Sequence, residues 1–423
     1  KVSAAKRDIL KELGIRTFVN AAGTYTAMTA SLMHDEVVET IKQGAKKFAM
    51  LDEVQDKVGE KIAELCHAEA ATVTAGCWSA LVLGTAGVLT GMDMKKVAQL
   101  PDVTGMKSEV IVQKGHNIGY VHALTNTGAK IIEIESGEVN KCIDVVSQVW
   151  MTLSDAEADR KALFVNLGGG VIGDMGGFIA STYKRGIDFI QIPTTLLAQV
   201  DASVGGKLGI DFHGLKNHIG VFQLPKAVLI DPKFINTLSI QQKKSGFAEI
   251  IKHCLIRDEK EWNSISQQSF EELDLSKLIA HSVAIKEAVV LEDPKEAGLR
   301  KILNFGHTLG HAIETYLLDK GKRKILHGEA IAIGMIVEAF ISHQRDLISL
   351  QELEEIESYL FENYGRVKLH PEEISKIIAL TAQDKKNKGK EIRFSLLTGI
   401  GDCGYDIPVS ASEMKKAIQY YLN

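Results

Sequence analysis

The sequence has few cysteines, few prolines and no long apolar segment, and each shortage excludes a class of protein. Its five cysteines are scattered, odd in number and without a CxxC pair, which argues against a disulfide framework or a zinc knuckle; they are Cys66, Cys77, Cys142, Cys254 and Cys403. We therefore expect reduced thiols and a cytoplasmic protein. No window approaches about 18 unbroken apolar residues, so a membrane partner is not expected.

The chain also has no excess of positive charge. The formal net charge is −5 at pH 7 and the pI is about 6.3, which argues against nucleic acid as the main partner. A chain of 423 residues with 45% apolar content exceeds what one core usually supports, so two or three domains are expected. Only seven prolines occur, and no Ser/Gly-rich stretch marks a linker.

The segment FVNLGGGVIGDMGGF (residues 164–178) carries the clearest chemical signal. A short apolar run of strand type leads directly into Gly168, Gly169 and Gly170. Such glycines let the backbone turn sharply and expose amide N–H groups where a helix begins, which suits a pyrophosphate. On pattern alone, a tight structural turn is an equally good interpretation. We expect Asp174 to open the helix that follows.

A second glycine pair favours the ligand interpretation. Gly205 and Gly206 lie beside Lys207, and Lys216 and Asn217 follow within the same polar segment. Together with the triple glycine, this segment predicts a site for an anionic, dinucleotide-assisted reaction.

Apolar periodicity predicts the surrounding elements. Helical spacing at residues 51–65 precedes a predicted strand at 71–74, a turn and a helix at 78–89. Further strands are predicted at 131–134, 162–167, 189–192 and 227–230, with helices between them. From about residue 241 long helices dominate, and strand signal returns only at 392–397.

Four segments ahead of residue 135 resemble selenocysteine-synthase-like pyridoxal-phosphate enzymes. They are RTFVNAAGTYTAM (16–28), LDEVQDKVGEKIAEL (51–65), TAGC (74–77) and SEVIVQKGHNIGYVHALTNTGAKIIEI (108–134). The resemblance implies that Ala75, Gly76 and Cys77 form a turn for the cofactor phosphate and that His116 stacks on the cofactor ring. The Schiff-base lysine of that family lies in a later part of its fold, which this chain does not contain, so pyridoxal chemistry is not expected.

From residue 132 to residue 423 the chain resembles the 3-dehydroquinate synthase family, beginning with SGEVNK (136–141). That family normally has a nucleotide-binding βαβ unit of its own ahead of this motif, and here the pyridoxal-type fragment stands in its place. The resemblance implies an α/β protein in three parts: a partial aminotransferase-like fragment (1–130), an incomplete Rossmann-like NAD-binding αβ domain (131–239), and a mostly α-helical metal- and substrate-binding domain (240–423). It also implies a homodimer.

Two histidines and one carboxylate are a familiar ligand set for catalytic zinc, which leaves a coordination position open for substrate. His307 and His311 are four residues apart in NFGHTLGHAIE, so they share one helix face, and His327 opens HGEA. By the resemblance, Glu249, His307 and His327 bind zinc or cobalt, and His311 faces the substrate.

The resemblance also implies which residues bind a sugar-acid phosphate substrate and NAD. Charge-assisted bonds from lysine and arginine suit a polyanion. The implied substrate residues are Lys207, Lys216, Lys252, Lys286, Arg300, Lys385, Asp201, Asn217, Asn304 and, from a neighbouring subunit, Arg185. The implied NAD residues are Glu138, Lys141, Gly169, Gly170, Asp174, Thr194, Thr195 and Thr237. Gln242 departs from the family pattern, which has glutamate there, so we expect the cofactor side of the site to bind NAD less tightly.

The implied reaction is cyclisation of 3-deoxy-D-arabino-heptulosonate 7-phosphate to 3-dehydroquinate with loss of phosphate, a step of the shikimate pathway of aromatic amino acid biosynthesis. NAD takes up and returns a hydride, and the metal makes a substrate hydroxyl acidic. The front segment lacks G-x-G-x-x-G, so we expect weakened NAD affinity and impaired activity. Two alternatives stay open: a related sugar-phosphate cyclase, such as a deoxy-inosose or valiolone synthase, and a non-catalytic fusion whose front half is an oligomerisation or binding module.

Overall fold

The computed structural model describes residues 8–17, 32–66, 70–106, 108–113, 121–213, 215–318, 320–381 and 392–423. The chain divides into two compact units, residues 1–77 and 78–423. His116 and Lys385, both named by the sequence analysis, lie outside the described residues, as does most of the RTFVNAAGTYTAM segment.

The described residues of the first unit contain helices α1 (Ile9–Glu12), α2 (Asp35–Gly44) and α3 (Leu51–Cys66). The last of these confirms the helical spacing at residues 51–65. The strand predicted at 71–74 is wrong. The side-chain amide of Gln55 bonds the Val73 backbone at its carbonyl (3.0 Å) and its N–H (3.4 Å). Gln55 therefore occupies the groups that a neighbouring strand would need.

The second unit begins within α4 (Cys77–Thr90), which confirms the helix predicted at 78–89. The further α-helices of its described residues are α5 (Met94–Gln99), α6 (His122–Thr125), α7 (Ile143–Asp155), α8 (Gly170–Thr182), α9 (Ile240–Arg257), α10 (Glu259–Ile265), α11 (Leu275–Glu292), α12 (His307–Leu317), α13 (His327–Gln344), α14 (Leu350–Tyr364), α15 (Ile374–Thr381) and α16 (Ala411–Leu422). Its strands are β1 (Glu109–Gln113), β2 (Lys130–Ile134), β3 (Leu163–Gly168), β4 (Asp188–Pro193), β5 (Lys207–Phe212), β6 (Leu215–Phe222), β7 (Ala227–Val228), β8 (Ile392–Gly399) and β9 (Asp402–Val409). Within the described ranges, no helix has the length and apolar character needed to cross a membrane.

Five parallel strands form one sheet in the order β2-β1-β3-β4-β7. Strand β1 lies between β2 and β3, with Ile111 opposite Ile132 on one side and Asn166 on the other. The four strands predicted from residue 131 onward are confirmed as β2, β3, β4 and β7. Strand β1 is also part of this sheet, although it lies ahead of the boundary predicted at residue 130.

A shared apolar core attaches β1 to this sheet. Val110 of β1 packs in one group with Val121 and Leu124 near α6, and with Leu167 of β3. Burial of these side chains stabilises a β1-α6-β2 unit ahead of β3. The chain therefore has a βαβ unit ahead of SGEVNK, where the family's own unit was expected to be missing.

Two antiparallel hairpins, β5–β6 and β8–β9, lie outside the five-stranded sheet. Residues 207–222 were not predicted as strands because polar residues and glycines interrupt the apolar alternation. Gly209 and Gly220 lie opposite each other in the hairpin. The hairpin matters for the site because it carries Lys207 and Lys216.

Helices α9 and α11 to α16 contribute to one large core together with β8 and β9. A Cβ added to Gly334 of α13 would overlap the carbonyl oxygen of Gly306, which precedes α12. A Cβ added to Gly328 would overlap the backbone of Ser245 in α9. Glycine at these two positions therefore lets α13 approach both α12 and α9. These three helices carry the predicted metal ligands.

Candidate active site

Three helices bring one carboxylate and three imidazoles together. Glu249 lies on α9, His307 and His311 lie on α12, and His327 is the first residue of α13. The Nε2 atoms of His307 and His327 lie 3.4 and 3.5 Å from Oε1 of Glu249. The centroid of the His311 ring lies 5.0 Å from that of His307 and 5.6 Å from that of His327. The structure thus gathers the three predicted metal ligands and His311 around one point.

Hydrogen bonds at the other ring nitrogens determine how these imidazoles face Glu249. Nδ1 of His307 lies 3.0 Å from the Phe305 carbonyl oxygen, and Nδ1 of His327 lies 3.2 Å from Oε2 of Glu314. Carbonyl and ionised carboxylate oxygens only accept, so each Nδ1 donates, and in the neutral ring each Nε2 has a free lone pair. Two lone pairs and a carboxylate oxygen then converge, an arrangement that a divalent cation stabilises.

The electrostatic setting of Glu249 also suits a cation. The residue is fully buried, it forms an ion pair with Lys252, and neither carboxylate oxygen has a well-aligned hydrogen bond within the described residues. Burial raises the pKa of Glu249, but Lys252 and His307 outweigh burial and hold this pKa well below its usual range. Burial lowers the pKa of His327, but Glu249 and Glu314 outweigh it and raise this pKa to about 10. Carboxylate and imidazole ligands suit zinc and cobalt, so these residues fit the implied metal.

A second group of predicted residues lies beside the Glu249 carboxylate. Asp201 lies in a π-helical turn, Ala198–Ala202, a form of backbone frequent at functional sites. Lys286 donates to the side chain and to the carbonyl of Asp201, both at 2.6 Å, and Lys252 lies 4.0 Å from the same carboxylate. Burial raises the pKa of Asp201, but Lys286 outweighs burial and lowers it. The carboxylates thus hold two ammonium groups inside the site.

The β5–β6 hairpin adds two further predicted cations. Lys207 pairs with Glu296 at 2.6 Å, and the side-chain amide of Asn304 donates to the same carboxylate at 2.8 Å. Lys216 pairs with Glu314 at 2.7 Å. Each ammonium group has three donors, so it can bind an anionic ligand as well as its carboxylate.

Arg300 is fixed within the protein rather than extended into solvent. The side chain is only 1% exposed. One terminal nitrogen donates to the Gly205 carbonyl at 2.8 Å and the other to the Pro294 carbonyl at 2.7 Å. Its Nε is buried and has no hydrogen bond among the described residues. Contact between Arg300 and a substrate therefore stays a prediction.

The triple glycine forms the predicted strand-to-helix bend. Helix α8 begins at Gly170 with Gly169 as its N-cap. The prediction that Asp174 opens this helix is wrong, because the glycine bend is itself the start of the helix. A Cβ added to Gly170 would lie 3.3 Å from the Cβ of Ala202. The bend therefore lies directly beside the turn that carries Asp201.

Three of the predicted NAD residues contact one another. Lys141 is buried and pairs with Asp174 at 2.5 Å and with Glu138 at 3.9 Å. Burial raises the pKa of Asp174 and Lys141 offsets part of this rise. The ammonium group of Lys141 thus links the SGEVNK segment to α8, and its contact with NAD stays a prediction.

The remaining predicted residues differ in their placement. The N–H of Thr194 donates to the Gly168 carbonyl at 2.9 Å, which supports the bend. A Cβ added to Gly169 would lie 3.0 Å from Cγ2 of Thr195, so Thr195 lies beside the bend. The other three, Thr237, Asn217 and Arg185, are exposed. In the described part of the chain, Arg185 forms no hydrogen bond or ion pair with the gathered residues, so its role at the site of a neighbouring subunit stays a prediction.

Sequence reasoning missed three acidic residues of the site. Glu314 follows His311 by three residues in NFGHTLGHAIE, and this helical spacing was the signal that could have found it. Glu338 of α13 accepts from the N–H groups of Gly306 (2.7 Å) and Leu309 (3.1 Å) at the start of α12, where a negative charge is stabilising. Glu338 and Glu296 have no such local signal, because their roles arise from contacts between separate elements.

Two family models match the chain: 3-dehydroquinate synthase N-terminal over residues 131–245, and 3-dehydroquinate synthase C-terminal over residues 246–387. The chain is 43% identical over 296 residues to the 3-dehydroquinate synthase of Parabacteroides distasonis, with 69% of this chain and 84% of the relative covered. The chain belongs to the 3-dehydroquinate synthase family. It is therefore an enzyme of the carbon–oxygen lyase type that acts on phosphate.

A second family member extends the similarity toward the front of the chain. The 3-dehydroquinate synthase of Leptospira interrogans is 41% identical over 341 residues, which cover 78% of this chain and 92% of the relative. A match of this length reaches ahead of residue 131 and includes the β1-α6-β2 unit.

Solved structures of related cyclases share the fold. A 2-epi-5-epi-valiolone synthase from Streptomyces hygroscopicus with NAD+ and Zn2+ bound has 25% identity and a TM-score of 0.68, with 74% of this chain and 90% of that chain covered. A 2-deoxy-scyllo-inosose synthase complexed with carbaglucose-6-phosphate, NAD+ and Co2+ has 26% identity and a TM-score of 0.64 over the same shares. The common architecture is a Rossmann-like αβ part followed by a mostly helical part.

Proposed function

We propose that the chain converts 3-deoxy-D-arabino-heptulosonate 7-phosphate to 3-dehydroquinate and phosphate, with NAD and zinc or cobalt as cofactors. The observation that carries the proposal is the convergence of Glu249, His307 and His327 on one point. The substrate combines a phosphate with a carboxylate, and Lys252 and Lys216 pair with Glu249 and Glu314 beside that point. NAD with zinc or cobalt in two related cyclases supports the cofactor assignment.

When bound, NAD accepts and returns a hydride, and the divalent cation acidifies a substrate hydroxyl. Glu249, His307 and His327 would hold the cation. Lys207 and Lys216 would bind the anionic groups of the substrate while they keep their carboxylate partners, because each ammonium group has three donors. The two lysine side chains are 46% and 32% exposed, so a ligand can reach them. His311 would face the substrate beside the cation.

The partner and location assignments belong to the same proposal. We assign a homodimer, a sugar-acid phosphate as the small-molecule ligand, and a cytoplasmic location, with no role for nucleic acid. Arg185, exposed at the turn after α8, would complete the site of the neighbouring subunit. The segments of residues 1–130 that resemble pyridoxal-phosphate enzymes would contribute none of that chemistry.

Phosphate release from the heptulosonate phosphate, measured on the whole chain with NAD and zinc, tests the function. We expect turnover by the unaltered chain. In Glu249→Gln turnover should fall by more than about 100-fold, since loss of a residue that only hydrogen-bonds a metal ligand costs about 10- to 100-fold in many metal sites. A chain that binds zinc and NAD yet releases no phosphate would contradict the proposal.

A substrate panel separates the proposed reaction from that of the related cyclases. Sugar phosphates that lack the carboxylate should be turned over poorly, because the lysine and arginine side chains that would bind the substrate carboxylate would have no group of the ligand to bind. Preferred turnover of an uncarboxylated sugar phosphate would assign the chain to another cyclase reaction.

A further inference from the structure

Glu314 is an acidic residue that links two parts of the site. It lies on α12, three residues after His311 and seven after His307, and it is 6% exposed. One carboxylate oxygen lies 2.7 Å from Nζ of Lys216, and the other lies 3.2 Å from Nδ1 of His327. The carboxylate thus contacts a predicted substrate residue and a predicted metal ligand at the same time.

The chemistry of the carboxylate determines which form of His327 it favours. An ionised carboxylate has only acceptor atoms, so it requires the proton of His327 to be on Nδ1. In the neutral ring, Nε2 then faces Oε1 of Glu249 at 3.5 Å and has a lone pair for a metal.

We propose that Glu314 is a positioning residue that holds His327 in the tautomer able to bind the metal and holds Lys216 in place for the substrate. This inference rests on the proposed function. Glu314 acts through these two side chains. Its loss should therefore weaken metal binding and substrate binding together, whereas loss of Lys216 alone should weaken only substrate binding.

Glu314→Gln is the most informative change because it preserves shape. A side-chain amide has one acceptor atom and one donor group. If its oxygen accepts from Lys216, its NH2 group faces Nδ1 of His327 and favours the opposite tautomer, in which the proton occupies Nε2. That tautomer has no lone pair for the metal, so the change removes a ligand without opening a cavity.

The test measures metal affinity on the full-length chain by competition between the protein and a chelator for zinc and for cobalt. We expect Glu314→Gln to bind both metals roughly 10- to 100-fold more weakly than the unaltered chain. The visible absorption of the cobalt form should change, because the ligand set is altered. Under saturating metal the KM for the substrate should rise. Lys216→Met should raise KM while metal affinity stays within about threefold.

Glu373→Gln provides a matched control, because Glu373 is also a buried carboxylate in an ion pair, with Arg323. It should leave metal affinity and the cobalt spectrum unchanged. Glu314→Asp retains an acceptor-only group and should bind metal more tightly than Glu314→Gln. If Glu314→Gln does not fold, Glu314→Asp tests the positioning role in its place. Its shorter side chain should lower zinc affinity about threefold or more.

Two outcomes separate this inference from the proposed function. If the unaltered chain binds zinc and releases phosphate but Glu314→Gln has the same affinity and cobalt spectrum, the positioning role is wrong and the function stands. If the unaltered chain binds neither zinc nor cobalt, the proposed function fails and the inference fails with it.

Discussion

At the scale of single residues, the site consists of carboxylates that each hold a cation or an imidazole. Glu249 contacts Lys252 and two histidines, and Glu296 and Glu314 pair with Lys207 and Lys216. Burying a charge is costly unless it is paired, so these contacts let a polyanion site exist in the folded chain. The same pairing means that removal of one partner leaves an unpaired charge in the interior.

One partly buried ion pair outside the site gives a pH-dependent prediction. Two nitrogens of Arg323 donate to the two carboxylate oxygens of Glu373, at 2.7 and 2.8 Å. These hydrogen bonds lower the pKa of Glu373 to about 2 from an ordinary value of 4.5. Because the folded pKa is the lower one, the pair stabilises the fold above about pH 4.5 and loses this effect as pH falls toward 2.

Glu373→Gln should therefore lower the free energy of unfolding by about 1 to 2 kcal/mol at pH 7, an estimate reduced for the partial exposure of Arg323. The difference from the unaltered chain should shrink between pH 4.5 and pH 2. Urea unfolding at several pH values measures it. Glu60→Gln, in an exposed pair with Lys57, should cost under about 0.5 kcal/mol. A difference that is independent of pH would contradict the assignment.

At the scale of elements, the distances between helices determine whether the metal ligands meet. A side chain at Gly334 would overlap the Gly306 carbonyl, immediately before His307. Gly306 also has a positive φ of 77°, which glycine adopts without strain. The approach of α12 to α13 thus depends on two glycines, and the ligand geometry depends on that approach.

Gly334→Ala should force α12 and α13 apart. We expect a loss of about 1 to 3 kcal/mol in the free energy of unfolding, as for other overpacked cores. Zinc affinity should also fall, since His307 and His327 lie on the two helices. The control is Gly84→Ala in α4, where an added Cβ meets nothing within 4 Å and the change should be neutral or stabilising. Unchanged zinc affinity in Gly334→Ala would show that the helix spacing does not set the ligand geometry.

The β1-α6-β2 unit gives a second prediction at this scale. Ligands of parallel α/β sheets bind at the carboxyl ends of the strands, and the first unit normally supplies the acidic residue for the adenine ribose. Here residues 108–134 contain no G-x-G-x-x-G. We expect this chain to bind NAD at least about tenfold more weakly than the Parabacteroides distasonis relative does. A tenfold change corresponds to about 1.4 kcal/mol in binding free energy. Calorimetric titration of both proteins measures this, and equal affinities would refute it.

At the scale of the whole molecule, one predicted residue is meaningful only in an assembly. Arg185 is exposed at the turn Tyr183–Arg185 with a positive φ of 71°. Within the described part of one chain it does not join the gathered site residues. If the proposed homodimer is correct, each site contains Glu249 from one subunit and Arg185 from the other.

Complementation between two inactive variants tests this arrangement. Arg185→Ala and Glu249→Gln should each release phosphate at under about one-hundredth of the unaltered rate. Co-expression of the two with different tags should yield a heterodimer in which one site has both Glu249 and an intact Arg185. That heterodimer should recover up to about half of the activity of the unaltered dimer. No recovery in a purified heterodimer would place Arg185 in its own site or outside any site.

The sequence alone determined the parts of this protein that depend on neighbours along the chain. The helix spacing at 51–65, the strands at 131–134 and 162–167, the triple-glycine bend and the shared face of His307 and His311 follow from local patterns. Family resemblance added the ligand and substrate residues. The strand at 71–74 failed because the Gln55 side chain bonds its backbone, a contact that no local pattern shows.

Tertiary structure decided what depends on packing between distant segments. β1 belongs to the sheet because Val110 shares a core with Leu167 of β3. Glu249 meets His307 and His327 because three helices cross at glycines, and Glu314 and Glu338 gain their roles only from those crossings. Such contacts join residues tens of positions apart in the chain. Burial and close packing select them, whereas secondary-structure periodicity carries no information about them.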